Sequence, residues 1–215
     1  MVIAIDGPGG VGKSTIARTL ANRLGKYHLD TGATYRAATL AVVSSGTDPN
    51  DLAATLLIVK RSNIDYKDGI VLLDGVDVTE EVRGERIDAA VSAVAAHRDV
   101  RSTVVALQRE WVSARDGEVV VEGRDIGTVV FPKAAVKIYV TARPEVRAAR
   151  RIAELAGPHK DAEVIAQALA RRDLVDATRK VSPLRPARDA AVIDTSDLSI
   201  EEVVQLVMEQ IDSAD

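Results

Sequence analysis

Eight consecutive residues, Gly7-Pro8-Gly9-Gly10-Val11-Gly12-Lys13-Ser14, lie between a short β-branched run, Val2 to Ile5, and apolar residues at helical spacing, Ile16, Leu20 and Leu24, closed by Gly25. That order reads as strand, loop, helix. The octet fits G-x-x-x-x-G-K-[ST], a pattern whose physical logic is an anion seat. Backbone N–H groups must wrap around phosphate oxygens, and Cβ atoms would obstruct or strain that wrap. The glycines of the octet relieve it. A helix beginning near Lys13 adds its positive end to the same anion. Lys13 is expected to reach the β and γ phosphates of a nucleoside triphosphate, and the Ser14 hydroxyl to ligate Mg²⁺.

The rest of the chain repeats the alternation. Tyr27 to Leu29, Val119 to Val121, Val136 to Val140 and Ala191 to Ile193 are further short runs of the buried-strand type, separated by helical pattern. Five such runs predict a five-stranded parallel sheet covered by helices on both faces. Val100, Val104, Leu107 and Trp111 share one helical face; Ile200, Val203, Val204, Val207 and Ile211 share another, opened by a Ser199/Glu202 capping box. Ile64 to Val78 breaks the alternation with two turn signals, Asp68-Gly69 and Asp74-Gly75, and predicts a small antiparallel insertion. Gly157-Pro158 interrupts an arginine-rich helical region and marks a mobile turn.

Composition narrows the function classes. At 215 residues and 47% hydrophobic, the chain can bury a substantial core as one domain. Without cysteine it has no disulfide, thiolate ligand or thiol nucleophile, which suits a reducing cytoplasm. The first residues lack a signal-peptide pattern, and no apolar run approaches the ~20 residues needed to cross a bilayer, so no membrane association is expected. The net charge of -4 argues against general nucleic-acid affinity, as do only six aromatic residues for stacking. The charge is uneven: Arg143 to Arg188 holds 11 Lys/Arg against 6 Asp/Glu. A basic stretch in a chain with a phosphate loop suits polyanionic substrates, although a solvated surface is the commoner use of such a stretch.

A guanine-nucleotide switch would carry an Asn-Lys-x-Asp base-reading segment, which is absent. A remodelling ATPase needs more chain and a water-activating glutamate. A small kinase needs neither. If the acceptor is a phosphate monoester, its second pKa of ~6 leaves an anionic oxygen at neutral pH and no general base is required. Arginines then become the essential residues, because two polyanions must be brought together for in-line transfer.

Several segments beside the octet now fit one family. They are Leu29-Asp30-Thr31-Gly32-Ala33-Thr34-Tyr35-Arg36, Glu122-Gly123-Arg124-Asp125-Ile126-Gly127-Thr128-Val129-Val130-Phe131-Pro132, Arg172-Asp173 with Asp176 and Arg179, and Val192-Ile193-Asp194-Thr195-Ser196. Together they resemble a bacterial cytidylate kinase, a P-loop nucleoside monophosphate kinase, over nearly the whole chain. The resemblance implies a three-layer α/β/α P-loop NTPase fold with a small antiparallel insertion in the acceptor-binding portion. It implies one domain over 1–215, with a core of 1–30, 96–146 and 166–215, a monophosphate-binding portion of 31–95 carrying the insertion at about 63–82, and a lid at about 147–165.

Carried over by position, the resemblance implies ATP at Gly7, Pro8, Gly9, Gly10, Val11, Gly12, Lys13, Ser14 and Thr15, with Arg147 and Arg151 of the lid. Neighbouring Arg150 allows a shift of register. The acceptor, CMP or dCMP, would meet Thr31, Arg36, Ser92, Arg101, Arg124, Asp125, Arg172, Asp176 and Arg179. Of these, Arg36, Arg124 and Arg179 would grip its phosphate with guanidinium forks, and with Lys13 and Arg151 they form the expected catalytic set. Ser92, Arg101 and Asp125 would read cytosine. A carboxylate accepts from the exocyclic amine of cytosine, where uracil presents a carbonyl. The alternative for Asp125 is an ion pair that merely orients Arg124 or Arg101. Glu122 stands where a strand-end acid could support Mg²⁺ or do nothing. The expected products are CDP or dCDP and ADP, made by a cytoplasmic monomer with Mg²⁺ and no nucleic-acid or membrane partner. His28, His97 and His159 have no metal-site spacing, Trp111 reads as core, and Lys160 as a solvated tip.

Overall fold

The structure is a computed structural model that describes residues 1–67, 69–154 and 161–213. Asp68, Gly157-Pro158, His159 and Lys160, for each of which the sequence carries an expectation, lie outside the described residues. In chain order the strands are β1 Val2–Asp6, β2 Tyr27–Asp30, β3 Ile64–Lys67, β4 Ile70–Leu73, β5 Val76–Asp77, β6 Val119–Gly123, β7 Val136–Thr141 and β8 Ala191–Asp194. The helices are α1 Lys13–Leu24, α2 Thr31–Ser44, α3 Leu52–Arg61, α4 Glu85–Ala96, α5 Arg98–Ser113, α6 Pro144–Glu154, α7 Ala162–Thr178 and α8 Ile200–Asp212. Five strands form one sheet in the order β2-β6-β1-β7-β8; β3-β4-β5 form a second, smaller one. The expected parallel sheet and antiparallel insertion are both present.

The chain divides into two compact units, residues 1–26 with 118–215, and residues 27–117. In the first, β1 lies between β6 and β7 in parallel, with Ile3 opposite Val120 on one side and Val136 on the other, and β8 continues the sheet from β7. Parallel strands are covered on both faces, which is why these runs carry Val and Ile without polar alternation. Ile3, Ile5, Ile16, Leu20, Val120, Ile138, Val203, Val204 and Val207 form one core cluster. At about 1.5–3 kcal/mol per fully buried aliphatic side chain, this cluster holds α1 and α8 on the sheet. α1 ends at Gly25 in the left-handed conformation, and α8 starts with the complete Ser199/Glu202 capping box.

The second unit is organised around α2, whose side chains are buried almost all round: Ala33, Tyr35, Ala37, Ala38, Leu40 and Val42 among them. A helix with little contrast between its faces is one packed on nearly every side. The Asp74-Gly75 turn closes the β4–β5 hairpin with both residues at positive φ, 52° and 82°, the geometry its sequence predicts. Trp111 is core, with its indole N–H donating to the Tyr66 carbonyl and the Arg115 guanidinium 3.6 Å above its ring.

Candidate active site

The site is built first on the segment between β1 and α1. Gly7 has φ of 153°, and a Cβ there would lie 2.2 Å from the Val140 carbonyl oxygen, so the loop leaves the sheet through a gap that only glycine fits. Gly10 and Gly12 follow at φ of 74° and 87°. A Cβ on Gly10 would come within 2.9 Å of the Arg147 carbonyl oxygen. The loop therefore passes directly under α6. Lys13 is buried, with Nζ donating to the Pro8 carbonyl at 2.6 Å, so its ammonium is turned into the loop. Ser14 and Thr15 are exposed in the first turn of α1. The Ser14 hydroxyl donates to the Glu122 carboxylate at 2.9 Å, and Glu122 itself is buried at the end of β6.

Three guanidinium groups contact this loop within the same unit, and a fourth joins the carboxylates beside Arg124. Arg124 Nη1 donates to the Gly7 carbonyl at 2.7 Å while its Nε donates to Asp176 at 2.9 Å. Arg147 Nε donates to the Gly9 carbonyl at 2.6 Å, and its other end pairs with Asp173, whose carboxylate also accepts from the Gly9 amide at 3.3 Å. Arg150 Nη1 donates to the Val11 carbonyl at 3.2 Å, and Nη2 to the Thr195 carbonyl at 2.7 Å. Arg179, at the end of α7, donates through Nε to the Ser182 carbonyl; its Nη atoms lie 3.5 Å from Asp176 and 3.6 Å from Asp125. Asp125, Asp176 and Arg179 are thus brought together with Arg124. Arg172 lies half-buried on α7 beside Asp173.

Behind the loop, Asp6 is buried and accepts from the backbone amides of Ile126 and Gly127, 2.8 Å each. Burial pushes its carboxyl up to about 6; the two amide bonds and nearby Lys13 pull it down, and Asp125 adds to the rise. Tyr139 on β7 is also held above its usual range, chiefly by burial and then by Asp173.

The remaining predicted residues belong to the unit of residues 27–117. Thr31 opens α2, its carbonyl accepting from the Thr34 hydroxyl at 2.8 Å. Arg36 donates to the Val82 carbonyl at 2.9 Å and pairs with Asp88. Arg101 on α5 is buried, donates to the Ala95 carbonyl at 3.2 Å and holds its guanidinium 5.1 Å from the Tyr35 ring centroid. Ser92 is half-buried on α4. His28 meets the Tyr66 hydroxyl and His97 the Pro49 carbonyl, which accounts for both rings.

On α6, Arg150 donates to the loop beside Arg147, and Arg151 pairs with Glu154 on the same helix. Asp6 and Asp173 also stand in the site without a role expected from the sequence, because their partners are backbone amides and a side chain far along the chain.

A divalent cation fits the donor set in one place. Ser14 offers an exposed hydroxyl already oriented by a buried carboxylate, and a hard cation such as Mg²⁺ is usually held by one or two protein oxygens together with substrate phosphates. Among the described residues no group of three or more His, Cys, Asp or Glu could hold a metal ion. Nor, among them, is any helix long and apolar enough to cross a membrane.

Comparison with known proteins identifies the family. The family model described as cytidylate kinase matches residues 3–213. The cytidylate kinase of Rhodococcus opacus is 49% identical over 210 residues, covering 95% of this chain and 91% of that protein. That of Geobacillus kaustophilus is 46% identical over 213 residues, covering 96% and 94%. Among solved structures, the shikimate kinase of Bacteroides thetaiotaomicron superposes with a TM-score of 0.52 at 15% identity, covering 99% of this chain and 98% of that one, a likeness of fold alone. With a strand-seated phosphate loop ringed by arginines, and a family model spanning almost its full length, this chain belongs to the cytidylate kinase family.

Proposed function

We propose that this chain transfers the γ-phosphoryl group of ATP to CMP and dCMP, giving CDP or dCDP and ADP. The observation that carries the reading is the double grip of Arg124, one nitrogen on the Gly7 carbonyl of the phosphate loop and another on Asp176, with Arg179 and Asp125 alongside. A donor-phosphate seat and a guanidinium set suited to a second phosphate share one junction.

In this reading the loop amides from Gly7 to Thr15 and Lys13 hold the triphosphate, and Arg147, with Arg150 or Arg151, closes over it as part of a lid at about 147–165. Arg124 and Arg179 take the acceptor phosphate, with Arg36, Thr31, Arg172 and Asp176 as further acceptor contacts from the 31–95 portion and α7. The acceptor oxygen is already anionic near pH 7, so these residues position and neutralise rather than abstract a proton. Mg²⁺ would supply charge neutralisation at the phosphates, and Ser14, supported by Glu122, would hold it. Asp125 offers two carboxylate oxygens with several lone pairs, enough to keep Arg179 and still accept from the amine of cytosine. Arg101, stacked on Tyr35, and Ser92 complete base recognition.

The protein is further proposed to act as a cytoplasmic monomer. The decisive experiment is a panel of CMP, dCMP, UMP, AMP and shikimate with ATP and Mg²⁺. CMP and dCMP should dominate by kcat/KM, and preference for any other acceptor would overturn the reading.

A further inference from the structure

The acid at the end of β1 takes no direct part in the phosphoryl transfer proposed for this chain. Asp6 is buried and accepts from two consecutive backbone amides, Ile126 and Gly127, at 2.8 Å each. Its own residue leads directly into Gly7, the first residue of the phosphate loop, and the amides it holds follow directly on Arg124-Asp125. Arg124 returns the connection by donating to the Gly7 carbonyl at 2.7 Å. The two segments are therefore stapled twice, side chain to backbone in each direction. Gly127 belongs to the same joint: a Cβ there would lie 3.4 Å from Asp6 Oδ2 and 3.1 Å from the Lys137 side chain.

A buried carboxylate beside Asp125 is a poor choice for stability alone, since desolvation and a second acid both work against it. Two charge-assisted bonds to adjacent amides do, however, fix both the distance and the direction of the turn after β6. We infer that Asp6 is a positioning residue for phosphoryl transfer, whose carboxylate sets the spacing between the phosphate loop and the Arg124-Asp125 pair. The inference rests on the proposed role of Arg124 and Asp125 at the acceptor. In-line transfer between two separately seated nucleotides depends on that spacing, and a displacement of ~1 Å can cost ~100-fold in rate.

The test compares Asp6→Asn with Gly127→Ala. An amide accepts through one oxygen only and turns an N–H donor toward the other backbone donor, so it opens one of the two bonds. The alanine adds a Cβ 3.1 Å from the Lys137 side chain and in contact with the carboxylate, so it presses on the joint without removing its charge. Both variants should lower kcat by about tenfold or more while leaving the KM for ATP and for CMP within about threefold. Both should also raise the ratio of ATP hydrolysed to CDP formed, because water attacks when the acceptor is misaligned. A purely structural role would change the melting temperature and the active fraction, yet leave that ratio and the kcat per nucleotide-binding site unaltered; this outcome would overturn the inference. Should Asp6→Asn fail to fold, the ratio in Gly127→Ala decides the matter. Arg124→Ala serves as the reference: if it transfers normally, the acceptor assignment itself fails, and if it is impaired while both joint variants are normal, only the positioning role of Asp6 fails.

Discussion

Arg124 Nη1 lies 2.7 Å from the carbonyl oxygen of Gly7, while Nε of the same guanidinium lies 2.9 Å from Asp176. One planar group thus spans the phosphate loop and α7. Lysine cannot reproduce this, because a single ammonium cannot serve two fixed acceptors set at the angles of a fork. Arg124→Lys should retain the fold, as judged by circular dichroism, and lose about 100-fold in kcat/KM for CMP. ATP binding, measured separately by calorimetry, should weaken by less than about fivefold. An equal loss for both nucleotides would contradict the assignment of Arg124 to the acceptor.

Asp125 pairs with Arg179 at 3.6 Å, and a carboxylate can accept from more than one donor at a time. If that donor is the exocyclic amine of cytosine, Asp125→Ala should reduce the preference for CMP over UMP by at least about tenfold, since a buried polar group left mismatched sets the discrimination. KM for ATP should stay within about twofold. A uniform fall for CMP and UMP would leave Asp125 only the ion-pair role.

Much of this could be read in the residues because the relevant chemistry is local. The phosphate loop, the capping box at Ser199 and the Asp74-Gly75 hairpin each declare themselves within eight residues or fewer, and all stand in the structure as their sequences predict. The parallel strands are legible too, as short Val/Ile runs bounded by helical pattern. What escaped has a common physical origin. α2 is buried on nearly every side, threonines included, and so shows little contrast between faces. On α5 the residue at the centre of the buried face is Gln108, while Leu107, counted in the apolar stripe, is only half-buried; Gln108 is held through its amide by the Thr34 hydroxyl at 2.8 Å. Asp6 finds its partners 120 and 121 residues away, and both are backbone amides that leave no mark in a sequence.

Titration of Asp6 gives a stability prediction with a definite sign. Its carboxyl titrates at about 6 in the fold against 3.8 ordinarily, so the folded state binds a proton more tightly than the unfolded chain. Its contribution is therefore most favourable below about pH 3.8 and is lost as pH rises through about 6. Other carboxylates obscure this in the wild type alone, but they cancel in the difference from Asp6→Asn. That difference should shift in favour of the wild type by about 2 kcal/mol between pH 7.5 and pH 4.5, measured by urea denaturation. A difference independent of pH would show that Asp6 is not held above its ordinary range.

Two glycines at unusual backbone angles should respond very differently to alanine. Gly25, the left-handed cap of α1 at φ of 60°, has no atom within 4 Å of the place an added Cβ would occupy, so Gly25→Ala meets only the backbone preference, about 1 kcal/mol. Gly7 at φ of 153° would place its Cβ 2.2 Å from the Val140 carbonyl oxygen, a distance no side-chain rotation can relieve because both partners are main chain. Either β7 or the loop must move. Movement of β7 disturbs Ile138 and Val140 in the core; movement of the loop displaces the Gly7 carbonyl from Arg124 and the following amides from a phosphate. Gly7→Ala should therefore lower the melting temperature by several times the shift of Gly25→Ala and abolish measurable nucleotide binding, whereas Gly25→Ala should keep wild-type kcat. Comparable melting shifts in the two variants would mean that the strand yields easily there, and that the close passage of the loop beneath Val140 is not what shapes the phosphate seat.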